Sequence, residues 1–273
     1  MPFRLIALLI LWGLNVAPAF ATERVLTLSF DGDQRRLSAS ELLARPDAMD
    51  LTVSDDVSYK RAMTYRAVPL LGVLGNDLSA DVDTIEARAS DGFVSQIPAH
   101  LVKKGASAGA VAWLAIEDPN APWPNLPGRD MSAGPFYLVW ENPKRSDIGS
   151  EQWPYALVGL TGVQDPVQRW PQLRVDPKLP NDAEERRGQA SFIKNCMPCH
   201  RINGAGESDI GPDLGRPMNV TEYMTLAGLR ALIRDPKSVR TWPEQQMVGF
   251  DASALPDSEL DALIAFLAHM AKR

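Results

Sequence analysis

The chain is poor in the residues that build most metal and nucleophilic sites. It has two cysteines in 273 residues, both inside one pentapeptide, so at most one disulfide is available. It has three histidines, of which only His100 and His269 lie outside that pentapeptide. There is no G-x-S-x-G, no H-E-x-x-H and no phosphate-cradling glycine loop, so the usual hydrolase, metalloprotease and nucleotide signatures are missing. No internal repeat or low-complexity tract occurs. Twenty-eight basic residues stand against 34 acidic ones, a net charge of −6 that disfavours nucleic acid and anionic membrane as partners.

The longest apolar run, Leu5 to Phe20, falls short of the ~20 residues that span a bilayer and contains Asn15 and Pro18. It follows Met1-Pro2-Phe3-Arg4 and closes with Ala19-Phe20-Ala21, the pattern of a secretory signal peptide over residues 1–21. No cysteine sits at the cleavage site to take a lipid. The expectation is cleavage after Ala21, a periplasmic product without a membrane span, and a mature net charge one unit more negative through loss of Arg4.

What the chain does have is Cys196-Met197-Pro198-Cys199-His200. C-x-x-C-H is the attachment spacing of c-type haem: two thiols on one helical turn add to the vinyl groups, and the next imidazole faces the iron. A thioredoxin-like C-x-x-C does not require the histidine. A zinc site needs two more good ligands, which His100 and His269 supply poorly. One covalent haem c per chain is expected, with Cys196 and Cys199 as attachment points and His200 as an axial ligand.

Pro166, Pro171, Pro177 and Pro180 break the chain into two parts. Such a segment suits neither a regular helix nor a central strand, so residues 166–181 read as an extended linker or a strap through Trp170 and Leu173. Residues 22–165 before it are strand-rich. Strands are expected at 24–30, 51–53, 62–66, 84–89, 92–97, 111–116, 136–140 and 156–162, with Asp31-Gly32 and Asp91-Gly92 as turns. Ser38 and Glu41 form a capping-box signal, and short helices are expected to start at Pro69 and Pro98. Residues 182–273 are helical, with amphipathic segments at 183–196, 226–234 and 257–270. The fold class is α+β in two domains: a β-rich N-terminal domain and an all-α C-terminal domain.

The C-terminal segment resembles the class I cytochromes c. Gly188, Phe192 and Cys196 match the spacing of that family's first helix, and Leu263 and Phe266 match the pair on its last. Gly211-Pro212-Asp213-Leu214 matches the G-P-x-L loop, whose proline carbonyl receives a hydrogen bond from the proximal histidine. The resemblance implies a methionine sixth ligand before the last helix, where Met247 stands; Met218 and Met224 are alternatives. Val248 replaces the family's usual proline, while Phe250 is kept. Arg216, Arg240 and Trp242 are candidates for bonding the haem propionates. His269, two past Leu267, is expected on a solvated face.

The N-terminal part distantly resembles the molybdopterin-binding domain of sulfite-oxidase-type enzymes. The matching stretches are Tyr65-Arg66-Ala67-Val68-Pro69-Leu70-Leu71, Ala89-Ser90-Asp91-Gly92-Phe93 and Gly134-Pro135-Phe136-Tyr137-Leu138-Val139-Trp140. That family binds molybdenum through a cysteine, and none precedes Cys196, so a scaffold without molybdopterin is expected. Trp113 and Trp140 read as core. Trp123 and Trp153, on proline-stiffened loops, suit either an exposed binding surface or packing between prolines. Together these readings point to an electron carrier between redox proteins, such as a periplasmic dehydrogenase and another cytochrome. The alternative is a fused oxidoreductase subunit whose N-terminal domain binds a cofactor or substrate.

Overall fold

The computed structural model describes residues 23–105, 107–243 and 245–273, and the expected export signal lies outside them. Among the described residues nine strands occur in chain order: β1 Val25–Phe30, β2 Asp33–Ser38, β3 Met49–Val53, β4 Met63–Pro69, β5 Thr84–Ala89, β6 Val94–Pro98, β7 Val111–Ile116, β8 Phe136–Glu141 and β9 Leu157–Val163. They form two sheets, ordered β2-β1-β9-β5-β6 and β3-β4-β7-β8. Among the described residues only the β1–β9 pair is parallel.

β1 alternates inward Leu26, Leu28 and Phe30 with half-exposed residues, the period of a strand with one buried face. Asp31 and Gly32 both have positive φ, 52° and 84°, which turns β1 tightly into β2. The sequence reading missed β2. Its residues Asp33-Gln34-Arg35-Arg36 are all exposed on the sheet edge, so no hydrophobic alternation marks it. Ser38 then caps helix α1 (Ala39–Leu43), accepting from Glu41 N while Glu41 accepts from Ser38 N. Helices α2 (Leu70–Leu74) and α3 (Ala99–Gly105) begin one residue after Pro69 and Pro98, which close strands β4 and β6.

One core fills the N-terminal part, with Tyr65, Phe136, Tyr137 and Trp140 each at most 1 % exposed. Trp153 is also buried, and Trp123 is half-buried with its ring 4.9 Å edge-on from Tyr65. Neither loop tryptophan is exposed: Trp123 packs on Tyr65, and Trp153 lies 6.3 Å from the Tyr137 ring.

The proline-rich bridge is more ordered than an extended linker. Pro166 opens a single-turn helix, α4 (Pro166–Arg169), whose Asp165 cap accepts from Val167 N at 2.8 Å. Beyond it Leu173 is fully buried and Val175 nearly so, both within the C-terminal core. Arg186 donates to the carbonyls of Leu179 and Pro180, both at 2.9 Å. His269 Nε2 accepts from Asp176 N at 3.1 Å, so this histidine fastens the strap and is half-buried, not on a solvated face.

The remaining helices are α5 (Glu184–Asn195), α6 (Val220–Tyr223), α7 (Leu226–Arg234), α8 (Pro236–Val239) and α9 (Asp257–Met270). The crossing of α5 and α9 organises this half. A Cβ on Gly188 would collide with the Ala262 carbonyl, so only glycine permits the approach. One turn on, Phe192 and Phe266 are fully buried with ring centroids 5.5 Å apart. The two halves make an α+β protein with a β-rich N-terminal part and a helical C-terminal part.

Candidate functional site

Helix α5 ends at Asn195, and its hydrogen bonding runs on into the cysteine motif. Cys196 N donates to Phe192 O at 2.9 Å, Cys199 N to Cys196 O at 3.1 Å and His200 N to Cys196 O at 2.8 Å. The two thiols and the imidazole therefore leave one compact turn, and neither thiol is in a disulfide.

His200 Nδ1 lies 2.9 Å from Pro212 O. A carbonyl only accepts, so the proton sits on Nδ1 and Nε2 keeps its lone pair. That is the tautomer a metal-ligating imidazole needs, held by a carbonyl partner that strengthens it as a donor. Gly211 makes the approach possible: a Cβ there would overlap Cε1 and Nδ1 of His200. Gly211 N also donates to Cys199 O at 2.8 Å, closing the loop back onto the motif.

Asp213, the variable residue of the G-P-x-L loop, organises the intervening segment. Its carboxylate accepts from Asn203 N (2.9 Å), Gly204 N (2.7 Å) and Gly215 N (2.8 Å). Asn203 and Gly204 both have positive φ, so the carboxylate caps a turn that few other residue pairs could make. Asn203-Gly204 was the available sequence signal for that turn, and the sequence reading did not use it.

Electrostatics separates this pair of thiols from a redox dithiol. Burial first, and the Glu151 carboxylate second, push Cys196 and Cys199 up to about 12, with Asp91 adding to the effect at Cys199. A reactive C-x-x-C needs the opposite, a thiol lowered toward neutrality. Burial lowers the His200 imidazole, partly offset by its bond to Pro212, which favours the neutral ligand form. Among the described residues no group of three or more His, Cys, Asp or Glu is placed to hold a metal ion. Two thiols on one turn, a neutral imidazole with Nε2 free and a side-chain-free approach at Gly211 fit a covalently attached haem.

The other candidates are less tightly arranged. Met247 lies in the irregular segment before α9, half-buried against the C-terminal core alongside Cys196, Leu214 and Met224. Met224 shares that packing, whereas Met218 is half-exposed. Arg240 stacks its guanidinium 5.5 Å from the Trp242 ring, with both residues on the surface. Arg216 is exposed, its guanidinium against Gly204. His100 is exposed on α3.

The N-terminal sheet reaches the motif directly. Val94 N, at the start of edge strand β6, donates to Pro198 O at 3.1 Å, within the C-x-x-C segment itself. Sequence reasoning had no signal for this contact, because it joins two main chains about a hundred residues apart.

Among the described residues no helix is long and apolar enough to cross a membrane. A comparison of the chain with curated proteins returned no match. The family model described as Cytochrome c matches residues 185–271, and the helical C-terminal segment that carries Cys196, Cys199 and His200 is a cytochrome c domain.

Proposed function

We propose that the chain is an exported, periplasmic mono-haem cytochrome that carries single electrons between redox partner proteins. The observation that carries this reading is the 2.9 Å contact of His200 Nδ1 with Pro212 O beside two cysteines on one turn. Attached there, the haem supplies an iron centre that takes up and releases one electron. Cys196 and Cys199 would hold it covalently, His200 would ligate the iron through Nε2, and Met247 would supply the second side-chain ligand. Two such side-chain ligands would leave no position for oxygen or substrate, which favours outer-sphere electron transfer over catalysis. Arg216, Arg240 and Trp242 serve the propionates in this reading.

The signal over residues 1–21 directs export, where covalent haem attachment takes place. Residues 22–165 form the N-terminal domain, 166–181 the connection and 182–273 the haem domain. The N-terminal domain keeps a sulfite-oxidase-like scaffold without the cysteine that would bind molybdopterin, and it serves partner docking and positioning of the haem. That reading rests on the sequence resemblance, the lack of cysteine before Cys196 and the bond between Val94 and Pro198. The dehydrogenase or cytochrome that it meets would carry a basic docking patch, complementary to the acidic charge of this chain.

Absorption spectra of the oxidised and the reduced protein test the assignment. The expected result is a six-coordinate low-spin spectrum, with the weak methionine-to-iron band in the oxidised form that Met247→Ala removes. A five-coordinate spectrum overturns it. Molybdenum bound at one per chain would favour the fused-oxidoreductase alternative instead.

A further inference from the structure

We propose that Arg169, acting through Glu207, positions the loop that holds the His200–Pro212 bond, so that the N-terminal domain sets the reduction potential of the haem iron. This rests on the haem reading above. Residues 201–211 connect His200 to the Pro212 carbonyl, and the tip of that loop is fastened from outside the haem domain. Glu207 Oε1 accepts from Arg169 Nη2 at 2.7 Å, and its other oxygen pairs with Arg88 on β5. Next to it, the nearly fully buried Ser208 donates Oγ to Gly92 O at 3.1 Å, in the turn between β5 and β6. A Cβ on Gly92 would reach ordinary contact with Ile210, so the turn sits against the loop.

Arg169 is the member that ties the parts together. Its other arm reaches Glu86 Oε1 at 2.6 Å, in the middle of β5. Glu86 is 5 % exposed and also accepts from Gln96 Nε2 at 2.9 Å. The guanidinium lies 4.1 Å from the neighbouring Trp170 ring, which fixes its plane. One side chain therefore links the N-terminal sheet, the connecting segment and the loop between His200 and Pro212. A planar fork with two carboxylates is a task for arginine; its Glu86 arm is shielded from solvent, and that arm anchors the more open arm to Glu207.

The consequence for the iron follows from the ligand. The Nδ1–H bond to Pro212 makes the imidazole a stronger donor and favours the oxidised state. Freeing the loop weakens that bond and raises the potential. Simple loss of the Arg169 positive charge acts in the opposite direction, because it also favours the oxidised state. The sign of the change therefore separates positioning from charge.

The test is a redox titration of the haem-loaded full chain carrying Arg169→Ala, Arg169→Lys or the pair Glu86→Gln with Arg169→Gln. The pair removes one charge of each sign, so it keeps the fold in reach if Arg169→Ala strands Glu86 unpaired and fails to fold. The expected result is a positive shift in Arg169→Ala and in the pair, with partial recovery in Arg169→Lys. Hydrogen exchange gives a readout independent of the iron. The amides of Ile210 and Gly211, bonded to Ser208 Oγ and Cys199 O, should exchange at least ~10-fold faster in the haem-loaded pair variant than in its parent. A negative shift, no shift or unchanged exchange overturns the proposal. Failure of the wild-type chain to bind haem would instead overturn the reading on which it rests.

Discussion

Gly188→Ala is the substitution for which the structure dictates the clearest outcome. A methyl group there meets the Ala262 carbonyl oxygen and the Phe266 Cβ, where α5 crosses α9. The obstruction is backbone, so no rotamer change relieves it and the helices must separate. Overpacking of this kind costs about 1–3 kcal/mol, and backbone obstruction places it at the upper end. The higher helix propensity of alanine returns up to about 1 kcal/mol. The net expectation is a loss of about 2 kcal/mol confined to the haem domain. For a domain of that size each kcal/mol moves the midpoint by roughly 4–8 °C, so the haem-domain transition should fall by about 8–16 °C. Thermal unfolding followed in the haem absorption band isolates that transition from the N-terminal domain. Arg187→Ala, exposed on the same helix with one weak pair to Glu184, is the control and should stay within about 0.5 kcal/mol. Equal midpoints for Gly188→Ala and wild type would refute the crossing geometry.

Two further outcomes follow from the site. Gly211→Ala puts a methyl group into the His200 ring, so the imidazole must swing off Pro212; the expectation is a loss of haem incorporation or a displaced potential, read from the spectrum and a redox titration. Glu151 beside the cysteines is raised from 4.5 to about 7, chiefly by burial, with Ser150 and Lys60 opposing. Below pH 4.5 it is protonated folded and unfolded alike. Between 4.5 and 7 only the unfolded chain gives up the proton, so its contribution to stability declines as pH rises through that window. Allowing for partial solvent screening, denaturant titrations should find wild type losing about 1–2 kcal/mol across it relative to Glu151→Gln; parallel profiles would contradict the burial of that carboxyl.

The helical half was legible because its determinants are local. Gly188, Phe192, Cys196, Cys199 and His200 occur within thirteen residues of one another, and the periodicity of 257–270 marks its burying face directly. The strands with one buried face were legible for the same reason. β2 was not, since an exposed edge strand carries no alternation, and neither were the single-turn helices at Pro166 and Pro236, where one capping aspartate and a proline suffice. The buried Leu173 and Val175 make the segment a strap and not an extended linker: proline limits regular structure to single turns there without preventing burial. His269 misled because helical spacing places it off the main apolar face, while the partner that claims it, Asp176 N, comes from a distant strap. The contact of Val94 with Pro198 belongs to this class too, as main-chain pairing leaves no trace in residue type.

The most direct measurement is the mass of the denatured protein, produced in a host that exports it and attaches haem, compared with a variant carrying Cys196→Ala and Cys199→Ala. The account predicts that the wild-type chain retains the mass of one haem after unfolding and that the double variant loses it. A wild-type chain that unfolds to its bare polypeptide mass would contradict it.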